Sequence, residues 1–94
     1  SVENHGYAIP NGFSPNGDNL NDLFFVRGGP FTEYSLRVFD SWGKQIFMSE
    51  NQSVGWDGTF KGVEQPESVY IYIFKGVLYD GTSVEIVSDI TLVR

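Results

Sequence analysis

Residues 69–79 read VYIYIFKGVLY and form the longest run of strand-forming residues in the chain. Aliphatic and aromatic side chains alternate along this run, so both faces of a β-strand would be apolar. A strand that is apolar on both faces is usually central in its sheet. We therefore predict a central strand, with a possible bulge at Gly76. Its aromatic face is expected to lie in the core rather than form an exposed contact patch, and it consists of Tyr70, Tyr72 and Phe74.

The segments on either side of this run predict antiparallel neighbours. An Asp-Gly pair at 80–81 is a typical hairpin signal, after which residues 84–94 run back along the sheet. Upstream, residues 32–40 alternate between apolar and polar side chains, and residues 45–49 return after a Ser-Trp-Gly turn at 41–43. Short runs separated by Gly, Pro, Asn and Asp are typical of sandwiches and barrels. Together they predict an all-β, immunoglobulin-like sandwich of about seven antiparallel strands.

The composition fits one small domain and disfavours several kinds of partner. The chain has 94 residues, so we expect a single domain with residues 1–6 as a flexible tail. Six basic and twelve acidic residues give a net charge of −6, which disfavours nucleic acid and anionic membrane surfaces as partners. No segment reaches the roughly 20 apolar residues of a membrane helix, so we expect no direct membrane insertion. The chain has no Cys, which excludes disulfides and thiolate chemistry.

The sequence offers no convincing catalytic set. His5 is the only histidine and lies in a polar N-terminal stretch, where no Ser–His–Asp or Cys–His arrangement can be assembled around it. Paired carboxylates for glycoside hydrolysis remain arithmetically possible among the twelve acidic residues, but most of these residues lie in predicted turns. We therefore predict that the chain is not an enzyme.

The loop NGDNLND at residues 16–22 is the clearest candidate for metal chemistry. Calcium takes about six to eight oxygen ligands, which side chains, backbone carbonyls and water in a loop can supply. The fifth position is Leu20 and no Glu stands at the twelfth, so the loop is not an EF-hand. The alternative is a turn whose side chains bond to local backbone N–H groups. The candidate calcium ligands are Asn16, Asp18, Asn21 and Asp22.

Two tryptophans stand in predicted structural turns, Trp42-Gly43 and Trp56-Asp57-Gly58. Glycine permits the positive φ that such turns require, and Asp57 can bond to its own backbone. We expect both tryptophans to cap the ends of the core, because large aromatic side chains dominate packing in small domains. The alternative is that they stack on a sugar or dock to a partner.

Four short segments follow one another at domain-sized spacing. They are IPNGFSPNGD at 9–18 with Asn21-Asp22, VFDSWG at 38–43, WDG at 56–58 and LVR at 92–94. Together they resemble the gliding motility-associated C-terminal domain, which is the type B sorting domain of the type IX secretion system of Bacteroidota. The chain departs from the usual pattern at Asn19, where the family has Gly, and at Ser41, where it often has Arg.

The resemblance implies a function in protein export. Members of this family lie at the C-terminus of large exported proteins and carry them through the outer-membrane translocon, and a barrel-type outer-membrane protein is implicated in recognising type B domains. The resemblance therefore implies a covalently linked upstream cargo, which passes through the periplasm and outer membrane and is then secreted or kept at the cell surface. The alternative function is a carbohydrate-binding or adhesive immunoglobulin-like module of a surface protein.

The last strand is the candidate contact for the translocon. A strand near a chain end can pair with a partner by strand addition. The alternative is an ordinary closing strand of the sandwich. The candidate contact residues are Ile90, Thr91, Leu92, Val93 and Arg94.

Overall fold

A computed structural model describes residues 7–15 and 23–93, and every regular element in these ranges is a β-strand. No helix in the same ranges has the length and apolar character needed to cross a membrane. The strands, in chain order, are β1 (Tyr7–Ala8), β2 (Gly12–Phe13), β3 (Arg27–Gly28), β4 (Phe31–Phe39), β5 (Gln45–Ser49), β6 (Thr59–Phe60), β7 (Val63–Glu64), β8 (Ser68–Leu78) and β9 (Ser83–Leu92).

The main sheet has five strands in the order β2-β9-β8-β4-β5. Strand β8 lies between β9 and β4 and pairs antiparallel with both, as predicted for the central strand. Strand β2 instead runs parallel to β9, with Gly12 opposite Thr91 and Phe13 opposite Leu92. Two small antiparallel sheets complete the fold: β1 pairs with β3, and β6 pairs with β7.

The core lies between the main sheet and a second layer formed by the short strands and loops. Tyr70, Tyr72 and Phe74 of β8 are buried, as predicted. From the second layer, the rings of Phe24 and Trp56 lie 5.2 Å and 5.1 Å from those of Tyr72 and Tyr70, measured between centroids. A single antiparallel bridge joins the backbones of Phe24 and Trp56. Two strand layers that interlock in this way form the predicted all-β, immunoglobulin-like sandwich.

Several details of the strands differ from the sequence-based expectation. The described ranges contain nine strands, because two-residue strands build much of the second layer, and the β2–β9 pair is parallel. Gly76 pairs regularly on both sides. The register shifts of the main sheet lie instead in β4, between Phe31 and Glu33 where it pairs with β8 and between Val38 and Phe39 where it pairs with β5. The β6–β7 hairpin is a pair of strands that the sequence signals did not predict. There, Lys61 (φ 54°) and Gly62 (φ 82°) form a tight turn with two positive φ angles.

Candidate recognition site

The predicted calcium loop lies outside the described residues, so calcium binding there stays a prediction. Within residues 7–15 and 23–93, no group of three or more His, Cys, Asp or Glu side chains could hold a metal ion. The predicted ligands in the undescribed segment are Asn16, Asp18, Asn21 and Asp22.

The terminal segment belongs largely to the core. Ile90 and Leu92 are buried, and the backbone N–H groups of Thr91 and Val93 donate bonds of 3.1 and 3.0 Å to the chain segment that contains β2. The outer edge of β9 is therefore already paired at these residues. Val93 offers an exposed side chain, whereas Arg94 lies outside the described residues.

The outer face of the main sheet carries an apolar patch that we did not assign to any site from the sequence. Val69 and Ile71 of β8 are exposed, and Ile73 pairs with the exposed Val87 of β9. Alternation along β8 indicated an apolar second face, but periodicity alone does not reveal whether another layer covers it. Because Val69, Ile71 and Val87 are all exposed, the patch contacts solvent.

The turn between β4 and β5 presents Trp42 to solvent, with 91% of the residue exposed. The Oδ1 atom of Asp40 accepts the backbone N–H groups of Trp42 and Lys44, both at 2.9 Å. Gly43 has a φ of 82° and donates its N–H to the Asp40 carbonyl at 3.0 Å. The expectation that Trp42 caps the core is therefore wrong, because the residue occupies the apex of a turn beyond the last paired residues of the two strands.

Trp56 contrasts with Trp42, because it lies in the core as expected. Its ring packs against those of Phe13 and Tyr70, and its Nε1 atom donates to the Thr59 carbonyl at 2.9 Å. The Oδ1 atom of Asp57 accepts the backbone N–H and the hydroxyl of Thr59 at 3.1 and 2.7 Å. The following Gly58 has a φ of 85°. This turn therefore holds its tryptophan in the core, against Tyr70 of the main sheet.

The turn between β8 and β9 repeats the geometry of the Trp42 turn at the opposite end of the sheet. The Gly81 N–H donates to the Leu78 carbonyl at 2.8 Å, and Gly81 has a φ of 92°. The Thr82 backbone N–H donates to the Asp80 carboxylate at 2.9 Å. This hydrogen bond is the main reason that the pKa of Asp80 is lowered. Tyr79 is exposed in this turn, so the two turns present one large aromatic residue each.

The Trp42 turn and the terminal segment lie at the same end of the main sheet. Strand β4 ends at Phe39, opposite Ile71, while β9 ends at Leu92, opposite Ser68. Since Ser68 and Ile71 are close together in β8, the turn and Val93 both emerge at this end of the sheet. A cleft of about 140 Å³ also opens here, between the turn and residues 65–68.

Comparison with known families identifies one match. The family model described as the type IX secretion signal domain, CHU_C, matches residues 7–86. Among curated proteins, none matches the chain. The family match includes the central strand β8, the Trp42 turn and the Trp56 turn, but it ends before the terminal segment.

Proposed function

Because the chain belongs to the type IX secretion signal domain family, we propose that it is the C-terminal sorting signal of an exported protein. In this proposal the cargo is covalently linked upstream and crosses the periplasm. The outer-membrane translocon and a barrel-type partner protein recognise the domain, and the cargo is delivered to the cell surface or the medium. The family match over residues 7–86 carries the proposal.

We also propose that the domain acts by recognition and has no catalytic role. Three aspartates that could have offered reactive carboxylates instead accept backbone N–H bonds within their own turns, and these bonds stabilise the turns. The exposed features described above are apolar or aromatic, which suits contact with a partner protein. The three aspartates are Asp40, Asp57 and Asp80.

Export of a reporter tests the proposed function. A reporter with its own signal peptide is fused upstream of residues 1–94 and expressed in a bacterium that has the type IX system. We expect the reporter at the cell surface or in the medium, and in the periplasm of a strain that lacks the translocon. The same reporter without the domain is the control and should stay in the periplasm. Periplasmic retention of the full fusion in the parent strain would contradict the proposal.

The terminal segment is proposed to contact the translocon through its exposed side chain, Val93. Deleting the segment is an unsuitable test, because Ile90 and Leu92 would leave the core. Val93→Asp changes only an exposed side chain and preserves the backbone bond of 3.0 Å to Phe13. We expect this variant to be folded and to be exported less efficiently than the parent fusion. Equal export of both fusions would contradict this contact and would mean that the segment only stabilises the sandwich.

A further inference from the structure

We propose that Trp42 is the anchor by which this end of the sandwich docks into an apolar pocket of a translocon protein. The inference rests on the proposed function and names a contact residue for it. Trp42 is the most exposed of the large hydrophobic residues within the described ranges. An indole in this position buries a large apolar area when it enters a pocket, and tryptophan is among the residues most enriched at the energetic centres of protein interfaces.

The turn orders the backbone that carries the indole before any partner binds. Two hydrogen bonds to Asp40 and the positive φ of Gly43 fix the backbone on both sides of Trp42. The turn also continues directly into the paired strands β4 and β5. Because the backbone is already ordered, docking loses less conformational entropy than it would from a flexible loop. A tryptophan of the core would be buried, and a tryptophan in a linker would lack the hydrogen bonds to Asp40. An exposed tryptophan on an ordered turn is therefore what we expect of a residue that contacts a partner.

The proposed function and the small size of the adjacent cleft favour a protein as the partner of Trp42. The adjacent cleft measures about 140 Å³ and has a mixed lining of polar and apolar residues: Asp40, Ser41, Trp42, Gln65, Pro66, Ser68 and Tyr70. This volume is less than half of the roughly 300 Å³ at which typical small-molecule pockets begin, so the cleft is too small to enclose a typical small ligand. The projecting indole and the small cleft beside it instead match a partner with a pocket for the ring and one side chain for the cleft.

A comparison of the Trp42 turn with the turn between β8 and β9, which carries the exposed Tyr79, tests the proposal. Reporter fusions carrying Trp42→Ala or Tyr79→Ala are compared with the parent fusion in the export assay. Both side chains are exposed, so both purified domains should unfold at the parent temperature. We expect Trp42→Ala to lower export at least about tenfold and Tyr79→Ala to change it less than about twofold, because only the first removes an interface anchor. Trp42→Phe should restore part of the export.

The outcomes of this comparison distinguish failure of the Trp42 anchor from failure of the proposed sorting function. Equal export of the parent and the Trp42→Ala fusion would overturn the anchor while leaving the sorting function intact. Equal losses in both alanine variants would also overturn it, because the effect would then not be specific to the Trp42 end. Failure of the parent fusion to be exported would instead overturn the proposed function itself.

Photo-crosslinking identifies the contact directly. A benzophenone amino acid at position 42 should crosslink the fusion to a translocon protein, and the same group at position 79 should not. Excess purified domain should compete for this crosslink, whereas the Trp42→Ala domain should not. Saturable quenching of Trp42 fluorescence by soluble oligosaccharides, combined with normal export of Trp42→Ala, would identify a sugar site and overturn the proposal.

Discussion

At the scale of single residues, Gly76 shows how packing in the core dictates an amino acid in the longest strand. A Cβ atom at this position would lie 2.7 Å from Cζ of Phe74 and 3.1 Å from the backbone oxygen of Glu33. The Phe74 ring has little room to move, because its edge-to-face contacts with Phe31 and Tyr34 have centroid distances of 5.5 and 5.2 Å. Glycine is therefore required here by space rather than by backbone conformation.

Gly76→Ala should lower the free energy of unfolding by about 1–3 kcal/mol, because an added methyl group overpacks the core. Urea denaturation measures this change. Gly12→Ala is the matched control in the same sheet, since its Cβ would lie at an ordinary 3.5 Å from the nearest atom, the Thr91 oxygen. A loss of stability as large in the control as at Gly76 would contradict the explanation.

Two buried tyrosines predict how stability depends on alkaline pH. Burial raises the pKa of Tyr34 and of Tyr72, although hydrogen bonds to Val26 and Ser88, respectively, partly oppose the rise. The folded state therefore favours the neutral phenols. Their contribution is fully present below the unfolded pKa of about 10 and is lost as the pH rises through the folded values.

We accordingly expect the free energy of unfolding to decline above about pH 10, as measured by urea denaturation between about pH 8 and 11.5. Tyr72→Phe retains the ring and removes one ionising group, so its decline should be shallower than that of the parent. Stability that stays constant up to about pH 11 would show that the buried phenols are not coupled to unfolding.

At the scale of the elements, the β6–β7 hairpin depends on a two-residue turn whose first residue is not one of those favoured at that position. Both central residues have positive φ, which Gly62 adopts without strain but Lys61 does not. Asparagine followed by glycine is the favoured pair for this turn. Lys61 compensates in part, because its Nζ atom lies 5.4 Å from the centre of the Phe60 ring.

Lys61→Asn should raise the free energy of unfolding by about 0.5–1 kcal/mol, because the relief of backbone strain exceeds a weak exposed cation–π contact. Thermal unfolding followed by circular dichroism measures the shift. Gly62→Ala places a side chain in the same strained region and should shift the midpoint the other way. A lower midpoint for Lys61→Asn would mean that the contact with Phe60 outweighs the strain.

At the scale of the whole molecule, β9 extends along the main sheet from one end of the sandwich to the other. It pairs with β8 from Ser83 to Leu92 and with the parallel strand β2 at its far end. Its buried residues Ile90 and Leu92 face the same core as the aromatic residues of β8. The terminal segment thus contributes to stability and, in the proposed function, also to recognition.

Removing residues 88–94 should abolish the cooperative unfolding transition of the isolated domain. Loss of a single large aliphatic side chain from a core costs about 2–5 kcal/mol, and a whole domain has only about 5–15 kcal/mol of stability. Circular dichroism during thermal unfolding provides the measurement, with the full-length Val93→Asp variant as the folded control. A cooperative transition in the truncated chain would show that β2 and β8 can close the core without this strand.

The sequence by itself determined the strands and turns whose signals are local. Alternation along residues 32–40 and 69–79 predicted β4 and β8, two of the three long interior strands of the main sheet, and Asp-Gly at 80–81 predicted the turn from β8 to β9. Local signals are sufficient here because strand alternation and positive φ depend on neighbouring residues. The family resemblance likewise depended on short motifs in order, and the match over residues 7–86 confirms it.

The tertiary structure alone decided which of these features are covered. Trp42 and Trp56 stand in turns with similar sequences, yet Trp42 is exposed and Trp56 is buried, because only Trp56 belongs to the layer that packs against the main sheet. The sequence also did not show that the apolar outer face of β8 is left exposed, or that β2 pairs parallel with β9. Burial depends on contacts between residues far apart in the chain, and a local pattern does not determine which of two apolar faces, or which of two turns, those contacts cover.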